Sequence, residues 1–276
     1  MLKNELLYFK SLYQDALQKV GNSIFYRNNI RRKYIHSIKV LNIGNNIRNK
    51  TKILSNNSNK ELEKIAIKAL LFHDVGRFEE TKKRYQQEKK QKKQIKASSL
   101  KINHGSLGVK LLKNNPNYND IRILFAIKYH GQMIEKALKS KEYQSAKTLK
   151  LKKEMLHILN LVKDADKLEN LYRIKMHNNL TKDVFYKQLS KEAKISPPSP
   201  KVIKQLFAKK VVKFSTVYSY ADRLIMVLSW FFDINYKESY QIIKENNYKQ
   251  YLLDELDKYN NDKVLQSKIK KLLQRY

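Results

Sequence analysis

The chain is expected to fold as an all-α protein, and two features of the sequence carry that expectation. Its 276 residues include only 6 glycines and 4 prolines, few for a protein built from hairpins and tight turns. The apolar residues recur mostly at spacings of three and four rather than two, the period of helices that bury one face. The length stands at the upper edge of what one hydrophobic core organises, so one large domain, or one domain with an appendage, is expected.

The elements follow in order. An amphipathic helix is expected near residues 2–19, and a second starts around Arg32. That second helix carries His36, Val40, Ile43 and Ile47, spaced four, three and four, which puts His36 on the inward stripe. "SNKE", Ser58 to Glu61, has the form of a capping box ahead of "LEKIAIKALLFHD". From there Leu62, Ile65 or Ala66, Ala69 and His73 share one face, with His73-Asp74 at the C-terminal end of a buried helix whose stop is marked by Gly76. The lysine-rich stretch from Thr81 to Lys101 has little apolar periodicity and reads as a mobile loop or a solvated helix. "NHGSLGVKLL" opens a helix at His104 with Leu107, Leu111 and Leu112 on its inner side. "IRILFAIKYHG" brings another to its end at His130.

In "LVKDADKLENLYRI" helical geometry separates two aspartates. Met155, Ile158, Val162 and Ala165 define the apolar stripe; Asp166 lies on it, four residues after Val162, whereas Asp164 points to roughly the opposite side. Asn170 follows one turn later on the face of Asp166. "KISPPSPK", Lys194 to Lys201, reads as a linker or a long helix–helix connection. The helix after it carries Tyr220, Leu224, Leu228 and Phe231 on one side. It is too charged at Asp222-Arg223 to span a membrane, and is expected to dock on the N-terminal core, with a dimerisation face as the alternative. The last helix is basic and amphipathic, either solvated or in touch with anionic lipid.

No stretch approaches the length of apolar run that spans a bilayer, and the N-terminus lacks a continuous apolar leader core, so a soluble, cytoplasmic chain is expected. There is no cysteine, so any metal must sit on imidazole and carboxylate. The formal charge of +33 attracts phosphate-rich partners, including nucleic acid and anionic membrane surfaces. Lysine-, asparagine- and isoleucine-rich coding bias produces the same charge without selection for binding.

Of the 6 histidines, His36, His73, His104 and His130 each lie at a helix end or on an apolar face. Burying four imidazoles without partners is costly, which favours one shared polar centre over four private ones. Asp166 is the carboxylate that completes it. His157 and His177 fall outside the pattern and read as surface or packing residues.

An isolated histidine, a His-Asp pair and a distal aspartate from separate helices resemble the HD-domain superfamily of metal-dependent phosphohydrolases. Here they are His36, His73-Asp74 and Asp166. "ADKLEN" is similar to the distal motif of the alarmone hydrolases, in which the asparagine, here Asn170, lies near the nucleotide. His104 and His130 resemble the branch with an H…HD…H…H…D order, which includes HD-GYP cyclic dinucleotide phosphodiesterases, cyclic nucleotide phosphodiesterases and symmetrical diadenosine tetraphosphate hydrolases. "WFFDINYKESYQIIKENNY" is similar to the end of a group of single-domain bacterial HD proteins. No GYP follows His130, which argues against cyclic dinucleotides, and "HDVGRFEE" lacks the carboxylates that alarmone hydrolases carry after "HDV".

The resemblance implies an HD-type helical bundle as one domain over residues 1–276, with a metal-site core at about 32–175 and a C-terminal helical extension at about 200–276. It implies a hydrolase of a nucleotide or related small phosphorylated substrate that works by metal-activated water. Symmetrical diadenosine polyphosphate hydrolysis and a non-catalytic, polyanion-binding HD module are the alternatives. Two divalent ions are expected, bridged by Asp74, with His36, His73 and Asp166 on one and His104 and His130 on the other. With one ion, His104 and His130 contact phosphate instead. Imidazole with carboxylate suits Mn, Fe, Zn, Ni or Mg without choosing among them. Arg77, Lys167 and Asn170 are candidates to hold substrate, Arg77 and Lys167 by neutralising phosphate oxygens. Either cation also fits a solvated surface, the favoured reading for Lys167.

Overall fold

The computed structural model describes residues 2–51, 60–91, 103–182, 184–274 and 276, and among them every regular element is helical. Ser58 and Asn59 of the expected capping box lie outside the described residues, as do positions 92–101 of the basic stretch. The chain divides into two compact units, Met1–Asp166 and Lys167–Tyr276, where the sequence suggested one domain with a C-terminal extension.

The first unit holds α1 (Leu2–Lys19), α2 (Ile24–Lys50), α3 (Lys60–Phe72), α4 (Gly76–Gln91), α5 (His104–Leu112), α6 (Ile121–Tyr129), the short α7 (Ile134–Leu138) and α8 (Lys141–Gln144), and most of α9 (Leu149–His177), which runs on into the second unit. Helix α2 begins at Ile24, eight positions ahead of the expected start near Arg32, because Tyr26 and Ile30 extend its buried face by two turns. That start puts His36 near the middle of a long helix, where its backbone is held by hydrogen bonds on both sides.

Phe9 of α1 is the hub of the core beneath the histidines. Its fully buried ring stacks on Tyr34 of α2 at 5.3 Å, meets Phe72 of α3 edge-on at 5.4 Å and touches Phe78 of α4 at 5.5 Å. These contacts fix the three helices that carry His36, His73-Asp74 and Arg77. Burial of aromatic area of this kind is the largest single stabilising term per residue.

Gly76 does not stop α3. The helix ends at Phe72, His73 to Val75 form the turn, and Gly76 is the first residue of α4. Glycine is required there by crowding: a Cβ would collide with the His104 carbonyl oxygen and stand 2.6 Å from the Gly108 amide nitrogen. Thus α4 and α5 meet backbone to backbone, and the buried face of α5 is Gly105, Gly108 and Leu112, with the expected Leu107 and Leu111 only half buried. A Cβ at Gly105 would likewise stand 2.6 Å from the Lys128 carbonyl oxygen, so α5 starts against the end of α6.

Helix α9 is tied into the first unit by charge as well as packing. Arg122 of α6 donates to Glu154 of α9 at 2.6 Å, to Asp120 at 2.8 Å and to Glu61 of α3 at 2.5 Å. Buried Lys163 donates to the Gln132 carbonyl at 3.1 Å, just past His130. The helix buries Met155, Ile158, Val162 and Ala165 as expected, and Leu159, Leu161 and Asp164 as well.

The second unit contains α10 (Asn179–Lys182), α11 (Val184–Gln188), α12 (Lys191–Ile195), α13 (Pro200–Phe207), α14 (Tyr220–Ser229), α15 (Lys237–Glu245), α16 (Tyr248–Asp257) and α17 (Lys263–Leu273). Pro200 opens α13, where a missing amide proton costs nothing. Helix α14 starts with a capping box between Ser219 and Asp222 and packs on α12, α13 and α16. Asp222 is fully buried and also accepts from the Ser199 amide, which explains a charge in the middle of an apolar stretch. The basic α17 turns Gln266, Ile269 and Leu273 inward, so its apolar side is already covered. Among the described residues no helix is long and apolar enough to cross a membrane.

Candidate metal centre

Five helices of the first unit deliver the histidines and aspartates to one place. His36 comes from the inner face of α2, His73 and Asp74 from the turn after α3, His104 from the first residue of α5, His130 from the cap of α6 and Asp166 from α9. His36, His73, Asp74 and His130 are buried, whereas the side chains of His104 and Asp166 keep 20% and 24% of their surface exposed, which marks the open side of the site.

Two of the rings are oriented by the same local device. At the end of a helix the last carbonyls lack helical partners. His73 Nδ1 lies 2.9 Å from the Leu70 carbonyl, and His130 Nδ1 lies 2.9 Å from the Ile127 carbonyl. A carbonyl oxygen only accepts, so each Nδ1 carries the proton and a neutral ring turns its Nε2 lone pair into the centre.

There the donor atoms sort into two groups about Asp74. His36 Nε2 stands 3.1 Å from Asp166 Oδ1, 3.3 Å from His73 Nε2 and 3.7 Å from Asp74 Oδ2. On the other side, His104 Nε2 and His130 Nε2 are 3.3 Å apart and lie 3.5 Å and 3.6 Å from Asp74 Oδ1. Two donors that each bind one ion at ~2.1 Å stand roughly 3 to 4 Å apart, so these separations suit ligands of a common cation. His36, His73 and Asp166 form one set with the spacing to hold a metal ion; His73, Asp74 and His130 form another.

Protonation favours the same use. Burial pushes the His73 ring down to about 4 and the His104 ring down to about 3, so both are neutral near pH 7. Burial opposes ionisation of Asp74, but Lys33, the His130 hydrogen bond, His73 and Arg77 together hold its carboxyl well below the usual range. Burial also opposes ionisation of Asp166, and the hydrogen bond from His36 outweighs it, so that carboxyl too is held low. Neutral imidazole and ionised carboxylate are the forms that bind metal.

Two cations border the carboxylate. Lys33 Nζ lies 2.7 Å from Asp74 Oδ2. Arg77 Nε stands 3.5 Å from Asp74 Oδ1 while its Nη1 donates to Glu80 at 2.7 Å. Lys33 was not singled out from the sequence, although it precedes His36 by one helical turn and the same spacing argument reaches it. Of the remaining candidates, Lys167 and Asn170 fall in the second unit. Lys167 is engaged there by the carboxylate of Asp233 at 2.7 Å and by its carbonyl oxygen. Asp164 is fully buried. His157 is half buried and His177 exposed near the Tyr172 ring.

A family model described as HD domain matches residues 34–171, a span that contains every one of the donors from His36 to Asp166. The chain belongs to the HD-domain family. HD domains bind divalent metals and are in general metal-dependent phosphohydrolases, which agrees with the donor set of this HD domain. No curated protein and no solved structure matches the chain.

Proposed function

We propose that this HD protein is a phosphohydrolase that cleaves a phosphoester or phosphoanhydride of a nucleotide or related small phosphorylated substrate, with two divalent ions held by its histidines and aspartates. The observation that carries the reading is the position of Asp74, whose Oδ2 faces His36 and His73 and whose Oδ1 faces His104 and His130. A carboxylate placed between two groups of neutral nitrogen donors is suited to bridge two cations. His36, His73, Asp74 and Asp166 would hold one ion, and Asp74, His104 and His130 the other.

Divalent ions in such a site supply Lewis acidity that brings the ionisation of water near neutral pH and offsets charge on phosphoryl oxygens. The chain supplies the rest. The Leu70 and Ile127 carbonyls keep the His73 and His130 rings from rotating. Arg77 is one-third exposed on its side chain, with Nε turned to Asp74 and Nη1 to Glu80, and its planar fork matches the oxygens of a phosphoryl group. Burial of the inner residues leaves the side of His104, Asp166 and Arg77 as the way in.

The test is metal analysis of the purified chain, followed by turnover assays on phosphomonoesters, nucleotides, cyclic nucleotides and dinucleoside polyphosphates with each metal added back. Metal-dependent turnover on one of these classes is expected. Salt-sensitive binding of random-sequence nucleic acid, with no metal-dependent turnover of any substrate, would overturn the enzymatic reading in favour of a polyanion-binding module.

A further inference from the structure

Lys33 has no part in the donor set, yet it holds one of the atoms that set requires. Its ammonium rests 2.7 Å from Asp74 Oδ2, the oxygen turned toward His36 and His73. An ammonium and a divalent ion cannot share that oxygen at close range, because like charges a few ångströms apart repel strongly in a partly buried site. A metal that takes His36, His73, Asp74 and Asp166 therefore competes with Lys33 for Oδ2.

The position of Lys33 says where its charge then goes. It leaves α2 one turn before His36, so its side chain starts on the wall of the same chamber. One-fifth of that side chain is exposed, on a site whose other accessible members are His104, Asp166 and Arg77. Its four-carbon stem allows the ammonium to leave Asp74 without leaving the opening. Arg77, by contrast, is braced by Glu80 on its own helix. The two cations approach opposite oxygens of Asp74, so they flank whatever anion enters between them.

We propose that Lys33 is a substrate-positioning residue of this HD protein: it gives up Asp74 Oδ2 to the metal and turns its ammonium to the phosphoryl group of the incoming substrate. The inference rests on the metal-dependent reading above and adds to it a cation that the HD pattern of histidines and aspartates does not contain. It also explains why a lysine, with a compact charge on a mobile stem, stands there rather than a second braced guanidinium.

The test uses the full chain stripped with a chelator, Mn2+ as the metal and inorganic phosphate as the anion, both followed by calorimetry. Lys33→Gln keeps a donor for Asp74 but removes the charge. It is expected to bind Mn2+ about tenfold or more tightly than the wild-type chain, and, once loaded, to bind phosphate about tenfold or more weakly. Lys33→Arg is expected to restore most of the phosphate affinity without the gain in Mn2+ affinity. A purely structural lysine would not move the two affinities in opposite directions. Helical circular dichroism confirms that each variant folds, and if the glutamine chain does not, Lys33→Met takes its place with the same two shifts expected and the same outcomes overturning them. Unchanged or weaker Mn2+ binding in Lys33→Gln overturns the competition, and tighter Mn2+ with unchanged phosphate overturns the positioning role. A wild-type chain that binds no Mn2+ sinks the metal reading itself, and this inference with it.

Discussion

Asp74→Asn is the sharpest perturbation of the site, because it keeps the shape and removes one charge. In the wild-type chain both oxygens of that carboxylate are committed to donor groups, Oδ2 at 3.7 Å and 3.9 Å from His36 and His73, and Oδ1 at 3.5 Å and 3.6 Å from His104 and His130. A unit charge about 4 Å from its partner is worth about 4 kcal/mol at an effective dielectric of about 20, and 4 kcal/mol is about a thousandfold in affinity. The substitution also leaves Lys33 and Arg77 without their shared carboxylate, which adds positive charge to the place a cation must enter. Asp74→Asn is therefore expected to lower affinity at both metal positions by about three decades. His130→Ala and Asp166→Asn should each weaken one position only. Calorimetric titration with Mn2+ or Zn2+, with elemental analysis for stoichiometry, separates these outcomes. If Asp74→Asn retains even one ion at wild-type affinity, the carboxylate is not shared and the two-ion arrangement is wrong.

Further outcomes follow from the same geometry. Asp164→Ala should lower the melting temperature, since Asp164 is fully buried, but leave metal stoichiometry unchanged; loss of metal equal to that of Asp166→Ala would reverse the assignment of the two aspartates. Gly76→Ala should destabilise the chain by about 1–3 kcal/mol in denaturant melts, because the new methyl meets the α5 backbone, and a neutral result would mean that the two helices are not in contact. The stripped chain should lose stability on acidification. His73 titrates near 6.5 when unfolded and near 4 when folded, so the unfolded state binds the extra proton between those values and stability falls as pH drops through that window. The loss from this residue is about 3 kcal/mol, and His73→Gln should make the fall shallower in urea melts at a series of pH values, with His104, pushed down to about 3, supplying the slope that remains. Asp74, held low in the folded state, begins to lose its stabilising effect only below about pH 3.8, outside that window.

The helices were legible in the sequence because each one obeys a local rule. The stripe of Met155, Ile158, Val162 and Ala165 named Asp166 over Asp164 from a 3.6-residue period alone, and the structure brings Asp166 Oδ1 to 3.1 Å from His36. The same rule placed His36 inward on α2 and His130 at a helix end. It failed where the reason for a residue lies on another helix. Gly76 has the look of a helix stop in sequence, but it is glycine because the α5 backbone passes too close for a side chain. Leu107 and Leu111 looked like the inner face of α5 for the same reason: apolar size signals burial locally, while close backbone approach rewards the absence of a side chain.

Length, composition and periodicity by themselves determined that this chain is helical, that it carries four histidines on inward or terminal helical positions, and which aspartate accompanies them. Those properties depend on neighbours three and four residues apart, which the sequence displays directly. Only the tertiary structure decided that Asp74 turns one oxygen to each histidine pair, that Lys33 takes the first of those oxygens, and that Lys167 belongs with Asp233. Each is a contact between residues far apart in the chain, set by how helices meet across a packed core. No periodicity within one helix encodes the angle at which another crosses it.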